Sequence, residues 1–193
     1  MLSRQEIEQH LKNPNVRKML GVIASAEGVK HGYNTMFGNE RLSDLSKHPG
    51  ILKEFTQTDG KKNKTSAAGR YQFLEPTWNG LAKQLGLKDF SPKSQDIAAV
   101  ALLAQNGALP HVLKGDIPTA VKKSGGTWAS LPSAPDSYKQ PKKTWSDIGM
   151  SGSTFDRVKG KREAQKQPTI ADVYKAYRSG KLTAEQKNAF ESD

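Results

Sequence analysis

Glu27 has an unusual position, at the end of the apolar run MLGVIASAEG that spans residues 19–28. Helical spacing places its side chain on one face with Leu20 and Ile23, so we expect the carboxyl group to point inward or into the wall of a cleft. Burial and the negative end of a helix both disfavour a carboxylate anion and raise its pKa. A carboxylic acid that is still protonated near neutral pH suits the cleavage of a glycosidic bond. An exposed glutamate at a frayed helix end would give the same pattern.

The segment SAAGRYQF, residues 66–73, has the residue types of a carbohydrate contact. Its small residues and Gly69 would let a ligand approach the backbone closely. Tyr71 could supply a stacking ring and Gln72 a hydrogen-bonding amide. An ordinary strand entry with a bulge at the glycine is the alternative interpretation.

A third candidate region is GTWASLPSAPDSYKQ, residues 126–140, in which Trp128 and Tyr138 could act as platforms for sugar rings. Trp128 fits a core position equally well. The following run YKQPKKTW, residues 138–145, mixes lysines with aromatics and also fits binding to a phosphate backbone. No zinc, helix-turn-helix or RNA-binding signature accompanies it, so a solvated charge run remains the simpler interpretation.

The composition limits the possible chemistry and the possible partners. A net charge of +11 predicts an acidic partner, for which nucleic acid and the polyanionic polymers of bacterial envelopes are both candidates. The chain has no cysteine, and its four histidines lack metal-ligand spacing, so we expect neither a metal nor another cofactor. No apolar stretch is long enough to span a bilayer, and the charged N-terminus lacks the apolar segment of a secretory signal.

The order of predicted elements indicates an α+β fold followed by a tail. We expect a helical region with a break at 13–15, then a loop with short strands, a β-hairpin, further helices and a final loop; their limits are 4–27, 31–50, 51–73, 75–124 and 125–155. Asn13 or Asn15 would cap the second helix, and Ser91 with Pro92 would start a later one. A charged linker and two short helices follow. We therefore predict one domain over residues 1–155 and a tail over 156–193.

Several motifs, in this order, resemble the phage lambda-type endolysins, which are lysozyme-like lytic transglycosylases. The resemblance runs from about residue 18 to about residue 140. It rests on SAEG (25–28), HGY (31–33), SDLSKHP (43–49), AAGRYQF (67–73), QLGLKDFSPKSQD (84–96), GALP (107–110), GDI (115–117) and WASLP (128–132). The stretch QLGLKDFSPKSQD is long and unusual, and it makes chance agreement improbable.

This resemblance implies a lysozyme-like body in which a helical lobe and a small β-hairpin lobe flank a glycan cleft. Glu27 then takes the place of the family's catalytic glutamate, and Tyr138 lies where the family has a sugar-contacting tyrosine. The segment 133–137 departs from the family pattern, being longer and less rich in glycine. The expected substrate-binding residues are Tyr33, Ser66, Arg70, Tyr71, Gln72 and Tyr138.

The implied reaction is cleavage of the MurNAc–GlcNAc β-1,4 bond of peptidoglycan with formation of 1,6-anhydro-MurNAc, for host cell lysis. This route needs one carboxyl group, whereas a hydrolase needs two. Candidates for a second one are Glu40, Asp44, Glu54 and Asp59, but none lies in a catalytic motif. The alternatives are a hydrolytic muramidase, a virion-associated lysin used in entry and a non-catalytic basic binding module.

The expected partners follow from the same resemblance and from the charge. We expect a monomer that binds peptidoglycan glycan strands and neither nucleic acid nor the bilayer interior. An anionic envelope surface is a candidate partner for the basic tail. We expect the protein in the host cytoplasm and, after holin-dependent release, in the periplasm, with the virion as the alternative location.

Overall fold

The computed structural model describes residues 2–150, in which helices surround the core and two small antiparallel sheets form a separate edge. The helices are α1 (Arg4–His10), α2 (Pro14–Glu27), α3 (Glu75–Leu85), α4 (Pro92–Gln105), α5 (Leu109–Leu113) and α6 (Ile117–Ser124). The strands are β1 (Thr35–Met36), β2 (Glu40–Arg41), β3 (Lys53–Thr56) and β4 (Lys62–Thr65). The predicted α+β class, with a helical part and small β-hairpins, is confirmed.

The predicted tail at 156–193 lies outside the described residues, and so does its proposed contact with an envelope surface. The boundary near residue 155 therefore stays a prediction. Within the described residues, no helix is both long and apolar enough to cross a membrane.

Helix α2 begins and ends where its sequence predicts. The side chain of Asn13 accepts a hydrogen bond from the backbone N–H of Asn15 at 2.8 Å, and Pro14 occupies the first turn. Gly28 ends the helix with a φ of 66°, a left-handed conformation that glycine adopts without steric cost. Glu27 is consequently the last helical residue, directly before a change of chain direction.

Helix α4 is the centre of the core. Ser91 caps it by accepting from the N–H of Ser94 at 3.3 Å, and Pro92 follows, both as predicted. Residues 94–101 are all buried, because α1, α2, α3 and α5 pack around this helix. Because the helix is buried on every side over 94–101, its apolar residues are not confined to one face, which explains its weak amphipathic pattern.

The predicted hairpin over 51–73 is shorter in the structure. Strands β3 and β4 pair from Lys53 with Thr65 to Thr56 with Lys62. Residues 66–73 instead form a tight turn, closed by backbone hydrogen bonds between Ala68 and Phe73. Gly69, at a φ of 85°, reverses the chain there.

Candidate active site

A cleft of about 690 Å³ lies between the β-sheet edge and the loop that follows α6. Phe37, Phe55 and Leu74 form one wall, and residues 126–130 with Tyr138 form the other. Glu27 lines the cleft between them. The volume lies within the range of small-molecule and sugar sites, and the lining mixes apolar and polar side chains.

Glu27 is partly exposed to this cleft and otherwise enclosed by protein. Burial raises the pKa of its carboxyl group from an ordinary 4.5 to about 7. Two opposing influences lower that pKa: the Ser130 hydroxyl donates to Oε2 at 3.0 Å, and the ammonium of Lys143 attracts the anion. Near neutral pH the group can therefore both give and take a proton.

The four candidates for a second carboxylate all lie away from the cleft lining. Glu40 forms an ion pair with Lys53, and Glu54 lies 4.0 Å from Lys62. Asp44 and Asp59 each accept a hydrogen bond from a backbone N–H two residues further along. Within residues 2–150, Glu27 is the one carboxyl group that lines the cleft. Nor do those residues contain a cluster of histidine and acidic side chains that could hold a metal ion.

Two of the predicted substrate-binding residues, Gln72 and Tyr138, line the cleft. Gln72 has a φ of 50°, a left-handed backbone that is uncommon for a residue with a side chain. Its amide donates to the carbonyl of Gly69 at 2.8 Å, which fixes the side chain's direction. The Tyr138 hydroxyl donates to the carbonyl of Gly126 at 3.0 Å, while the residue remains exposed.

The prediction that Tyr71 stacks on a sugar is wrong, because its side chain is fully buried. Its hydroxyl donates to Oδ1 of Asp96 at 2.5 Å. Burial, followed by the negative charge of Asp96, raises the pKa of Tyr71 far above its ordinary value. Tyr71 therefore packs in the core beneath the turn at 66–73.

Tyr33, Ser66 and Arg70 do not line the cleft either. The Tyr33 hydroxyl also donates to Asp96, at 3.0 Å, and the Arg70 guanidinium lies over the Tyr33 and Tyr71 rings. Ser66 is buried and accepts a hydrogen bond from the N–H of Glu75 at 2.9 Å. Their side chains support the turn at 66–73 from behind.

Asp96 is a buried carboxylate with several hydrogen-bond donors, and the sequence analysis did not identify it. Arg17 donates to its Oδ2 at 2.8 Å, in addition to the two tyrosine hydroxyls. The available signal was an acidic residue directly before the apolar run IAAVALLA (97–104), where burial demands partners.

Trp128 connects this buried cluster to the cleft. Its indole N–H donates to the backbone carbonyl of Tyr71 at 3.1 Å, and its ring is both buried and part of the cleft lining. The core position predicted for Trp128 is confirmed, and its role as a platform for a sugar ring stays a prediction. The cleft also contains the Phe37–Phe55 ring pair, with centroids 5.6 Å apart, which the sequence analysis did not single out.

A family model described as Endolysin matches residues 17–155. The endolysin of Escherichia phage lambda is 43% identical over 129 residues, covering 62% of this chain and 79% of that protein. The endolysin of Escherichia phage P2 is 34% identical over 133 residues, covering 62% of this chain and 81% of that protein.

Solved structures give the same result. Bacteriophage lambda lysozyme complexed with a chitohexasaccharide superposes with a TM-score of 0.60 at 41% identity, covering 70% of this chain and 90% of that one. A second lambda lysozyme structure gives a TM-score of 0.58 at 36% identity over the same shares of the two chains. The chain belongs to the endolysin family. It is a lysozyme-like phage enzyme that lyses the host by cleaving glycosidic bonds of peptidoglycan.

Proposed function

We propose that this endolysin cleaves the MurNAc–GlcNAc β-1,4 bond by lytic transglycosylation, with Glu27 as the one acid and base. A single observation carries the proposal. In the described part of the chain, the cleft has one carboxyl group, and its pKa lies near 7. That value suits both donation and recovery of a proton.

Protonated Glu27 donates to the glycosidic oxygen as the bond from that oxygen to C1 of MurNAc breaks, and the GlcNAc side leaves as an alcohol. The Glu27 carboxylate then takes the proton of the MurNAc C6 hydroxyl, whose oxygen bonds to C1. The product end is a 1,6-anhydro ring, and Glu27 is protonated again. Because the attack is intramolecular, proximity favours it without an activated water.

Hydrolysis is the competing reaction. A hydrolase would place a second carboxyl group roughly 5–5.5 Å from the first for retention, or 6.5–9.5 Å for inversion. The described acidic side chains other than Glu27 lie outside the cleft lining, which favours the transglycosylase route.

The similarity to a lysozyme that binds a chitohexasaccharide supports a β-1,4-linked glycan as the occupant of this cleft. The lining has the character that such a ligand requires. Phe37, Phe55 and Trp128 offer apolar surface, while Gln72 and Ser130 offer polar groups between them. Flat sugar faces and their hydroxyl groups match this mixture.

Mass spectrometry of digested sacculi in H₂¹⁸O tests the reaction type. We expect anhydro-MurNAc ends, one water lighter than reducing ends, and no ¹⁸O in the product. Reducing ends that carry ¹⁸O would establish hydrolysis instead.

The substitution Glu27→Gln tests the residue. We expect a folded protein whose lytic rate falls by roughly 10²–10⁴-fold, the usual contribution of a general acid. Glu54→Gln is the matched control, since Glu54 lies on β3 outside the cleft lining, and it should keep the wild-type rate. Full lysis by Glu27→Gln would end the proposal.

We further propose that the enzyme accumulates in the host cytoplasm and reaches peptidoglycan through holin-dependent release. Membership of the endolysin family supports this route. Immunodetection in fractions of infected cells, with and without a functional holin, tests it. Enrichment in purified virions would favour the entry role.

A further inference from the structure

Lys143 places a positive charge beside the reacting carboxyl group. Its side chain lines the cleft, and its ammonium lies 3.9 Å from where a Cβ on Gly28 would stand. Its backbone N–H donates to the carbonyl of Ser130 at 2.8 Å, and the hydroxyl of that serine donates to Glu27. The loop therefore holds the lysine next to the reacting group.

Within the described residues, the ammonium of Lys143 is available to a ligand. Among residues 2–150, no carboxylate lies within ion-pair distance of it. Asp147 attracts it only at longer range and accepts the N–H of Thr144 at 2.8 Å. Of the described residues that line the cleft, Lys143 is the one cation and Glu27 the one acid. With Glu27 protonated for catalysis, the cleft carries a net positive charge.

The neighbouring Lys142 has the same charge as Lys143 but forms an ion pair outside the cleft. Its ammonium pairs with Asp136 at 2.8 Å and donates to the carbonyl of Ala134 at 2.9 Å. It does not line the cleft. Two adjacent lysines thus have the same charge and different surroundings, and Lys142 serves as an internal control.

The expected substrate brings an anion close to this position. MurNAc differs from GlcNAc by a lactyl ether on C3, two ring atoms from the C1 that reacts. The lactyl carboxyl group is either free or continued by a peptide that bears carboxylates. The free lactyl acid lies within roughly 10 Å of the cleaved bond, and at about 3.5 Å per extended residue the carboxylates of an L-Ala–D-Glu arm lie up to about 7 Å further along.

We propose that Lys143 forms a subsite for a carboxylate carried on the lactyl arm of the reacting MurNAc. This inference rests on the proposed function, since it takes Glu27 to act at that sugar. The subsite would make the enzyme prefer charged over neutral lactyl arms. For a partly exposed ion pair we expect a roughly three- to tenfold preference in kcat/KM at low salt.

Four synthetic GlcNAc–MurNAc tetrasaccharides test the proposal. They carry the free lactyl acid, its methylamide, an L-Ala–D-Glu arm, and the same arm with both carboxyl groups amidated. Each charged compound has a neutral partner of similar size. The first pair reports on the lactyl carboxylate and the second on the peptide carboxylates, so the preferred pair identifies the source of the anion.

The variants are Lys143→Met, Lys143→Gln and Lys143→Arg, with Lys142→Met as the matched control. We expect Lys143→Met and Lys143→Gln to lose the charged-over-neutral preference, and Lys143→Arg and Lys142→Met to keep it. Any effect of Lys143 on the pKa of Glu27 alters charged and neutral substrates alike, so it cancels in the ratio. Equal wild-type rates on charged and neutral arms, or an intact preference in Lys143→Met, would overturn the subsite.

Failure of the proposed function has a different signature. It would appear as reducing-end products, or as activity that survives Glu27→Gln, whatever the ratio between substrates. The preference itself should weaken between 50 and 500 mM salt, because screening acts on the ion pair.

Discussion

Two regions of the molecule each enclose a carboxyl group, Asp96 in one and Glu27 in the other, and they differ in the hydrogen-bond donors that they provide. Asp96, on α4, accepts hydrogen bonds from Arg17, Tyr33 and Tyr71. Within residues 2–150, Glu27 at the end of α2 accepts one side-chain hydrogen bond, from Ser130. An arginine and two hydroxyl groups donate to the first group. The second loses water without gaining comparable donors, and its pKa rises to about 7.

The two carboxyl groups therefore have different roles: Asp96 stabilises the core, and Glu27 exchanges a proton. Donors around a buried carboxylate stabilise it where it lies and bind neighbouring elements together. A shortage of donors leaves the proton mobile, at a cost in stability that the rest of the fold offsets. The number of donors therefore distinguishes the two groups better than burial does.

Removing Asp96 should have the largest effect on folding. Asp96→Ala leaves two hydroxyl groups and a guanidinium without their acceptor, and we expect a loss of about 3–5 kcal/mol in the free energy of unfolding. Urea denaturation measures it. Glu54→Ala, at an exposed ion pair, should change stability by about 0.5 kcal/mol or less. A change that small for Asp96→Ala would remove the distinction between the two regions.

Glu27→Gln should change stability in the opposite direction. Between pH 4.5 and 7 the unfolded chain ionises this group while the folded protein keeps it protonated, so wild-type stability falls as the pH rises through that window. The amide lacks this penalty. We expect the variant to equal the wild type near pH 4 and to exceed it by about 2–3 kcal/mol above pH 7. Urea denaturation series at pH 4, 6 and 8 would show this, and parallel curves would contradict it.

The smallest effect tests Ser130, the side-chain donor to Glu27 within the described part of the chain. Ser130→Ala removes a hydrogen bond that lowers the pKa, so the fall of kcat/KM at high pH should move upward by at most about one pH unit. Ser133→Ala is the control in the same loop, because that hydroxyl donates to the carbonyl of Val121 at 2.6 Å. A downward shift in Ser130→Ala would mean that the serine does not stabilise the anion.

The sequence predicted the features that depend on neighbours along the chain. The cap at Asn13, the helix face ending in Glu27 and the start of α4 at Ser91 all follow from local spacing. The position of Glu27, which disfavours an anion, is also predictable from local sequence, because the helix end and its apolar face lie in one segment.

The features that depend on distant segments were not predictable in this way. The local sequence predicts that Tyr71 is available to a ligand, because its partner Asp96 is 25 residues further along and nothing near Tyr71 indicates it. Phe37 and Phe55 meet only when the two small sheets form one edge. Spacing along the chain indicates a residue's face, whereas only the fold determines what covers that face.

The left-handed backbone of Gln72 has a consequence for how this enzyme could be improved. A side chain in that conformation costs roughly 1–2 kcal/mol relative to glycine, which adopts it freely. Replacement by glycine would relieve this strain, but it would also remove the amide's hydrogen bonds to the carbonyls of Gly69 and Thr35, so we expect little net change in the melting temperature. Because the amide also leaves the cleft, the lytic rate should fall. Variants of this turn therefore have to be ranked on lysis as well as on thermostability, because the two properties do not change together there.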